Sequence, residues 1–332
     1  MSNALVPLDQ FLSARLQESN GMYKCDDQHL GIAGEQRLGG PAPMFYVGRR
    51  LTPDEFRSYS EATLFLGRQA AARQLIDITR LNYGQYEETM RRFAEEYKKD
   101  YSLNWQRVTD MVIQVDRHIL NFLTSMKTFL DHTQTRLDRT HGKESDQFKR
   151  YKAAEHAAFD NSLSYRFVSK LRNYTQHCGM PLGYIKAGSS LENAPDGPAK
   201  HVIDFFFDRD SLLKNFDEWT RHVEPELRAM PDQFPISPHI EATMKCLNEI
   251  NIVVMTEAES EIQQRLRVID AFLGEIDQRE GTPCVYTAFS VDTQSVPGKT
   301  LANLSFQRFH MQHVEETRRI LVELEERRKK SN

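Results

Sequence analysis

Residues 105–133 read WQRVTDMVIQVDRHILNFLTSMKTFLDHT, and this stretch decides the fold class. Its apolar residues recur at spacings of three and four, which is the pattern of one face of an amphipathic helix. The stripe consists of Trp105, Val108, Val112, Val115, Ile119, Phe122, Met126, Phe129 and Thr133. It predicts a long helix that runs to about Asp138 and indicates a mainly α protein.

A second long helix is predicted after the polar break THGKES at residues 140–145. Its stripe contains Phe148, Tyr151, Ala158, Leu163, Phe167, Leu171, Tyr174 and Cys178. Gly179 ends the pattern and Pro181 follows, which is a typical helix stop. The short connection predicts that the two helices form an antiparallel pair over residues 105–180.

The remaining segments complete an elongated helical bundle with a small β insertion. We predict an irregular N-terminal segment at residues 1–50, which holds a Gly- and Pro-rich stretch and one edge strand at Met44–Val47. Residues 51–332 are predicted to form a single mostly helical domain. It would contain a helix from Pro53, a β-hairpin at about 184–210, a third strand in TPCVYTAFSVD (282–292), and C-terminal helices over about 238–328, the last from about Leu301.

The bulk composition limits the classes of function. The chain has 43 Lys and Arg against 47 Asp and Glu, and its net charge of -4 gives no basic field that would gather nucleic acid. Any contact with RNA must therefore be local. The four cysteines form no C-x-x-C pair, which fits a reducing compartment. No run of 18 apolar residues and no secretory signal is present, so we expect a cytoplasmic protein without membrane association.

The segment KLRNYTQHCGMP, residues 170–181, carries the candidate site at the end of the second helix. Metal-independent RNA cleavage needs a group that deprotonates the ribose 2'-hydroxyl, a group that protonates the departing 5'-oxygen, and positive charge near the phosphate. His177 can accept or donate a proton near neutral pH, and Arg172 offers a bidentate phosphate clamp. Asn173 can orient the histidine or donate to a phosphate oxygen.

Helix geometry restricts how these residues can act together. Asn173 and His177 are four residues apart and share a face, whereas Arg172 and His177 differ by about 140° around the helix axis. One copy of the motif is therefore a poor closed site. Two copies that meet across a symmetric helix interface would place Arg and His from each chain at one phosphate, which predicts a homodimer.

RNYTQH resembles the R-x4-H motif, with Asn after the Arg, of the HEPN superfamily of helical-bundle ribonucleases. The resemblance covers the helix pair at residues 105–180. It implies an α-helical bundle, dimerisation that pairs two motifs, and metal-independent endoribonuclease activity, often in toxin-antitoxin or antiphage defence. It also implies that Arg172 and His177 are catalytic, that Asn173 supports them, and that RNA is the partner.

Other interpretations of the same residues stay open. The R-x4-H spacing also occurs at Arg136–His141 and Arg308–His313, and a looser form at Arg150–His156. Arg172 and His177 can equally decorate the end of a structural helix, which would make the chain a non-catalytic helical scaffold or interaction protein.

Metal and nucleotide sites have weaker support. The sets His310, His313, Glu316 and Asp204, Asp208, Asp210 contain ligand-type residues, but solvated faces explain both. The phosphate-loop, dinucleotide-binding and serine-hydrolase motifs do not occur. We therefore expect neither a metal nor a cofactor.

Overall fold

The computed structural model describes residues 5–18, 22–34, 44–191, 199–276, 281–292 and 301–331. Within these residues the chain is mainly α, as predicted, with small antiparallel sheets. In chain order the elements are β1 (Val6–Pro7), α1 (Leu8–Glu18), β2 (Met22–Cys25), β3 (His29–Ala33), β4 (Tyr46–Arg50), α2 (Pro53–Lys99), α3 (Trp105–His141), α4 (Asp146–Asn161), α5 (Leu163–His177), β5 (Leu182–Leu191), β6 (Ala199–Asp208), α6 (Arg209–Asn215), α7 (Glu224–Arg228), β7 (Gln233–Pro235), α8 (Ser237–Gly274), β8 (Thr282–Asp292), β9 (Leu301–Arg308) and α9 (Met311–Ser331).

The chain divides into two compact units. Unit 1 consists of Met1–Ala71 and Ala258–Asn332, and unit 2 of Ala72–Glu257. Helices α2 and α8 each contribute residues to both. This division differs from the single domain predicted for residues 51–332, because the N-terminal and C-terminal segments build a sheet together. None of the helices in the described ranges combines the length and apolar character that a membrane span needs.

Helix α3 organises unit 2 as its apolar spacing predicts. The Asn104 side chain caps the helix by accepting a 2.9 Å hydrogen bond from the Arg107 N–H. The stripe is buried from Val115 to Thr133, whereas Val108 and Val112 are half-buried and Trp105 at the first position is 82% exposed. Gly142, with a φ of +83°, ends the helix and donates its N–H to the Asp138 carbonyl.

The predicted second long helix is wrong in one respect, because it is two helices. Ser162 lies between them with an extended backbone, ending α4 and capping α5 by accepting a 3.2 Å hydrogen bond from Tyr165 N–H. A serine side chain competes for backbone donors in this way and favours helix starts over helix interiors. Helices α3, α4 and α5 all contact one another.

The predicted β-hairpin of unit 2 is confirmed. Strands β5 and β6 pair antiparallel from Leu182↔Phe207 to Leu191↔Ala199. Strand β7, which was not predicted, pairs with β6 and completes a three-stranded sheet. Residues 192–198 of the predicted insertion lie outside the described residues. Phe205 and Phe207 are buried, so the aromatic run of β6 belongs to the core.

Unit 1 corrects the prediction of an irregular segment at residues 1–50. The described part forms α1 and four strands in a sheet of order β1-β4-β3-β8-β2, with β9 paired to β8; residues 1–4, 19–21 and 35–43 lie outside the described residues. Strand β8 confirms the predicted strand at residues 282–292. The start of the last helix at Leu301 is wrong, because β9 occupies 301–308 and pairs with β8, and α9 begins at Met311. The two-residue alternation in LANLSFQR suits a strand with one packed face.

Candidate functional site

Aromatic packing fixes the end of α5, which carries the predicted site. The buried face of the helix consists of Tyr165, Phe167, Val168, Leu171, Tyr174 and Thr175. The Tyr174 ring is stacked on Trp219 with centroids 6.2 Å apart and lies edge-on to Phe216 at 6.0 Å. Such aromatic pairs add to the stabilisation from burial. The last turns of α5 are therefore fixed by packing against the rest of unit 2.

Arg172 is half-buried at the edge of this packed face. Its Nε is buried and has no hydrogen-bond partner, and no carboxylate within the described residues pairs with the guanidinium. Arg166 on the same helix is fully engaged, since its Nε donates to Glu226 at 3.1 Å and its Nη1 donates to the Phe159 and Asp160 carbonyls. Arg166 therefore has a structural role, whereas the positive charge of Arg172 is available to a ligand.

His177 is exposed and is the last residue of α5. The following residue, Cys178, closes the helix by donating its N–H to the Tyr174 carbonyl at 2.8 Å. Asn173 is half-buried one turn before His177, on the same side of the helix. Asn173 and His177 therefore share one side of α5, whereas Arg172 lies about 140° away around the axis. No hydrogen bond joins the three side chains within the described part of the chain.

One of the other R-x4-H pairs has a comparable position. In Arg136–His141, His141 is the exposed last residue of α3 and Arg136 is half-buried, with a pKa lowered by burial. The pair Arg308–His313 does not lie on one helix, because Arg308 ends β9 and His313 belongs to α9. Arg150, which precedes His156 on α4, is ion-paired with Glu257 at 2.9 Å.

Unit 2 also contains an open cavity of about 760 Å³ that the sequence did not indicate. It is lined by α2 and α3 through Asp77, Arg80, Leu81, Gly84, Gln85, Glu88, Thr89, Arg117 and His118. His118 is buried, with Nε2 2.9 Å from the Thr89 hydroxyl and 3.2 Å from Arg117 Nη2. Burial lowers the pKa of His118, and the nearby Arg117 and Arg92 lower it further. The Thr89 hydroxyl and the Arg117 guanidinium hold the imidazole in place.

Structural roles account for two of the three acidic residues near β6, Asp208 and Asp210. Asp208 caps α6 by accepting a 2.6 Å hydrogen bond from Ser211 N–H, and Asp210 pairs with Arg209 at 2.9 Å. His310, just before α9, and His313, within it, have stacked rings with centroids 5.1 Å apart, but Glu316 pairs with Arg319. Among the described residues, three ligand-type side chains converge at one place, Cys25, Asp27 and His29 in unit 1.

Comparison with known proteins gives no assignment, since no protein-family model, curated protein or solved structure matches the chain. Function must therefore be inferred from the residues themselves.

Proposed function

We propose that the protein is a metal-independent endoribonuclease that acts as a homodimer, with Arg172 and His177 as catalytic residues and Asn173 supporting His177. The observation that supports this proposal is the unpaired guanidinium of Arg172 on a rigid helix end that also presents an exposed His177. Buried or half-buried guanidinium groups are normally satisfied by carboxylates or carbonyls, as Arg166 is. A phosphate diester is a natural partner for the free donors of Arg172.

The chemistry follows from these two groups. His177 takes the proton of the ribose 2'-hydroxyl as that oxygen attacks the adjacent phosphorus. A protonated histidine then donates a proton to the departing 5'-oxygen as its bond to phosphorus breaks. The products are a 2',3'-cyclic phosphate and a free 5'-hydroxyl. Arg172 stabilises the added negative charge on the phosphoryl oxygens. The reaction needs no metal because the proton transfers and the charge stabilisation come from side chains.

The two proton transfers and the angular separation of the motif favour a site shared between two chains. Arg172 and His177 point about 140° apart on one helix, so an Arg from one copy and a His from the other meet more readily across a two-fold axis. Exposed apolar residues provide surface for such a contact: Trp105 and Ile113 on α3 are 82% and 60% exposed, and Met180 is 43% exposed just after α5.

The first test is RNA cleavage in EDTA by wild type, His177→Ala and Arg172→Ala, with folding checked by circular dichroism. Each substitution is expected to reduce cleavage by roughly 100-fold or more, because it removes the proton-transfer group or the phosphate clamp. The matched controls are His141→Ala and Arg136→Ala, which remove the equivalent pair at the end of α3. Activity that survives in His177→Ala, or that falls equally in His141→Ala, contradicts the proposal.

Mixing the two inactive variants tests the shared site. If Arg172 of one chain acts with His177 of the other, each mixed dimer of Arg172→Ala and His177→Ala retains one complete site. After random exchange of subunits about a quarter of wild-type activity should return. No recovery despite exchange would mean either that each chain uses its own pair or that one phosphate needs both copies of each residue. Intact RNA with dimeric, folded wild type would instead favour the non-catalytic helical scaffold.

A further inference from the structure

Between strands β2 and β3 of unit 1, residues 26–28 lie outside both strands and form a bulge, which gathers three metal-ligand side chains that a regular strand would keep apart. Strands β2 and β3 follow each other along the same edge of β8, with Cys25 opposite Phe289 and His29 opposite Tyr286. Four chain steps separate Cys25 from His29, but only three separate Phe289 from Tyr286, so the edge holds one extra residue. An extra residue of this kind bends a strand and re-aims its side chains.

The bulge brings the ligand atoms of Cys25, Asp27 and His29 within 4.8 Å of one another. In a regular strand the first and last of these residues would have Cα atoms roughly 13 Å apart. Four ligands around a Zn²⁺ at bond lengths of about 2.0–2.3 Å are separated by roughly 3.5 Å. The three side chains are therefore close to the spacing of a tetrahedral site, and small rotations about their side-chain bonds would complete it.

His29 is the second observation that points to a ligand. The residue is 8% exposed, its Nδ1 is buried, and this atom has no hydrogen-bond partner among the described residues. Its ring is wedged edge-on between Phe11 and Phe289, with centroids 5.5 and 5.6 Å away. A buried imidazole is normally hydrogen-bonded, so an unpartnered one beside a thiol and a carboxylate fits a missing metal bond.

The other two side chains are held in place by neighbouring groups. Arg50 Nη2 binds Asp27 Oδ1 at 2.6 Å, which leaves the second carboxylate oxygen for a metal and fixes the orientation of the group. The Asp27 N–H donates to Cys25 Sγ at 3.4 Å, which helps to fix the position of the sulfur. The backbone between Asp27 and His29 is anchored by the Leu51 N–H, which donates to the Gln28 carbonyl at 2.8 Å.

We propose that Cys25, Asp27 and His29 bind a single divalent ion of the zinc class, with a fourth coordination position open to the adjoining cavity. Thiolate, imidazole and carboxylate together are typical zinc ligands, whereas magnesium and calcium prefer oxygen ligands alone. The three ligands line a cavity of about 550 Å³, and Tyr23 and Arg15 form another part of its wall. A site with three protein ligands and an open position is the kind that binds water or substrate. This proposal does not depend on the ribonuclease proposal.

The test uses the reduced full-length chain, freed of metal by a chelator, with Co²⁺ alone as the spectroscopic probe and Zn²⁺ alone as the competitor. One Co²⁺ per chain should bind, give a thiolate-to-cobalt charge-transfer band, and be displaced by Zn²⁺. Cys25→Ser should abolish the band, and Asp27→Asn should weaken binding by at least about 10-fold. The matched controls are Cys246→Ser, at another half-buried free thiol, and Asp26→Asn, at the neighbouring exposed carboxylate.

A second measurement needs no variant. Alkylation of wild type with and without Zn²⁺, read by mass spectrometry, should show protection of Cys25 and unchanged labelling of Cys178 and Cys246. The proposal is overturned if wild type binds no Co²⁺, if the charge-transfer band survives in Cys25→Ser, or if Zn²⁺ leaves the labelling of Cys25 unchanged. Equal loss of binding in Asp26→Asn and Asp27→Asn would also overturn it, because it would indicate loose binding to surface acids.

Discussion

Replacing Asp116 by Asn should stabilise unit 2 at neutral pH. Asp116 lies on α3, is 9% exposed, and its Oδ1 has no hydrogen-bond partner among the described residues. Burial disfavours the charged carboxylate and raises the pKa of Asp116 to about 6. At pH 7.5 the folded protein must therefore keep a negative charge in a site that disfavours it. The amide of Asn has almost the same shape and carries no charge.

The magnitude follows from the difference in pKa between the folded and unfolded states. A rise from 3.8 to about 6 corresponds to an upper limit of about 3 kcal/mol in the free energy of unfolding at pH 7.5. We expect a gain of about 1–3 kcal/mol, since residual access of water to the carboxylate reduces the cost. Below pH 6 the folded state takes up a proton before the unfolded state does, so wild type recovers this stability as the pH falls to 4. The gain in Asp116→Asn should therefore vanish by about pH 4.

Tryptophan fluorescence in a denaturant titration reports the unfolding of unit 2, the unit that contains Asp116. The chain has two tryptophans, and both Trp105 and Trp219 belong to unit 2, where Trp219 is 5% exposed and reports unfolding. The control is Asp110→Asn, at an exposed position of the same helix, which should change stability by less than about 0.5 kcal/mol. A stability difference between Asp116→Asn and wild type that stays constant from pH 7.5 to 4 would refute the reasoning, as would destabilisation at pH 7.5.

Three other substitutions test the packing of buried groups, and two of them, at glycines, have opposite expected signs. Burial lowers the pKa of His239 to about 4, so the histidine should cost unit 2 stability as the pH falls from about 6.5 to 4, by up to about 3 kcal/mol; His239→Gln should flatten this part of the fluorescence-monitored pH profile. Gly31→Ala should destabilise unit 1 by about 1–3 kcal/mol, because the new Cβ would lie 2.3 Å from the Tyr46 carbonyl oxygen and 2.5 Å from Tyr286 Cε2. The matched Gly84→Ala in α2 meets nothing within 4 Å and should stabilise its helix by about 0.5–1 kcal/mol, so calorimetry should move the two variants in opposite directions.

Local signals account for the parts of the fold that could be predicted. The apolar spacing of α3 specifies both its helical state and its buried face, and Gly142 marks its end, because these features depend on neighbours three or four residues away. The break at Ser162 was missed because the apolar spacing continues on both sides of it. Periodicity alone does not distinguish one helix from two that share a core.

Long-range pairing explains the errors in unit 1. The strands within residues 1–50 are stabilised by β8, which lies more than 200 residues later, and the short N-terminal runs carry little pattern of their own. For the same reason the sequence alone did not indicate the Cys25, Asp27 and His29 cluster. Their C-x-D-x-H spacing predicts side chains on one face of a strand but well separated, and the bulge that gathers them exists only through pairing with β8. By contrast, Arg172 and His177 lie on one local helix, where sequence spacing is informative.

Buried polar atoms without partners connect the candidate sites to the physics of the fold. Leaving a buried donor or acceptor unpaired costs about 1–3 kcal/mol, so folded proteins keep few such atoms. Within the described residues they include Nδ1 of His29, Nε of Arg172, Oδ1 of Asp116, and Nδ1 of His118, whose side chain lines the unit 2 cavity. Nε of Arg265 is also unpaired, but the other nitrogens of that side chain bind carboxylates. Positions where a fold tolerates such a cost without compensation are where function is best sought, and a phosphate at Arg172 and a metal ion at His29 would each remove the cost.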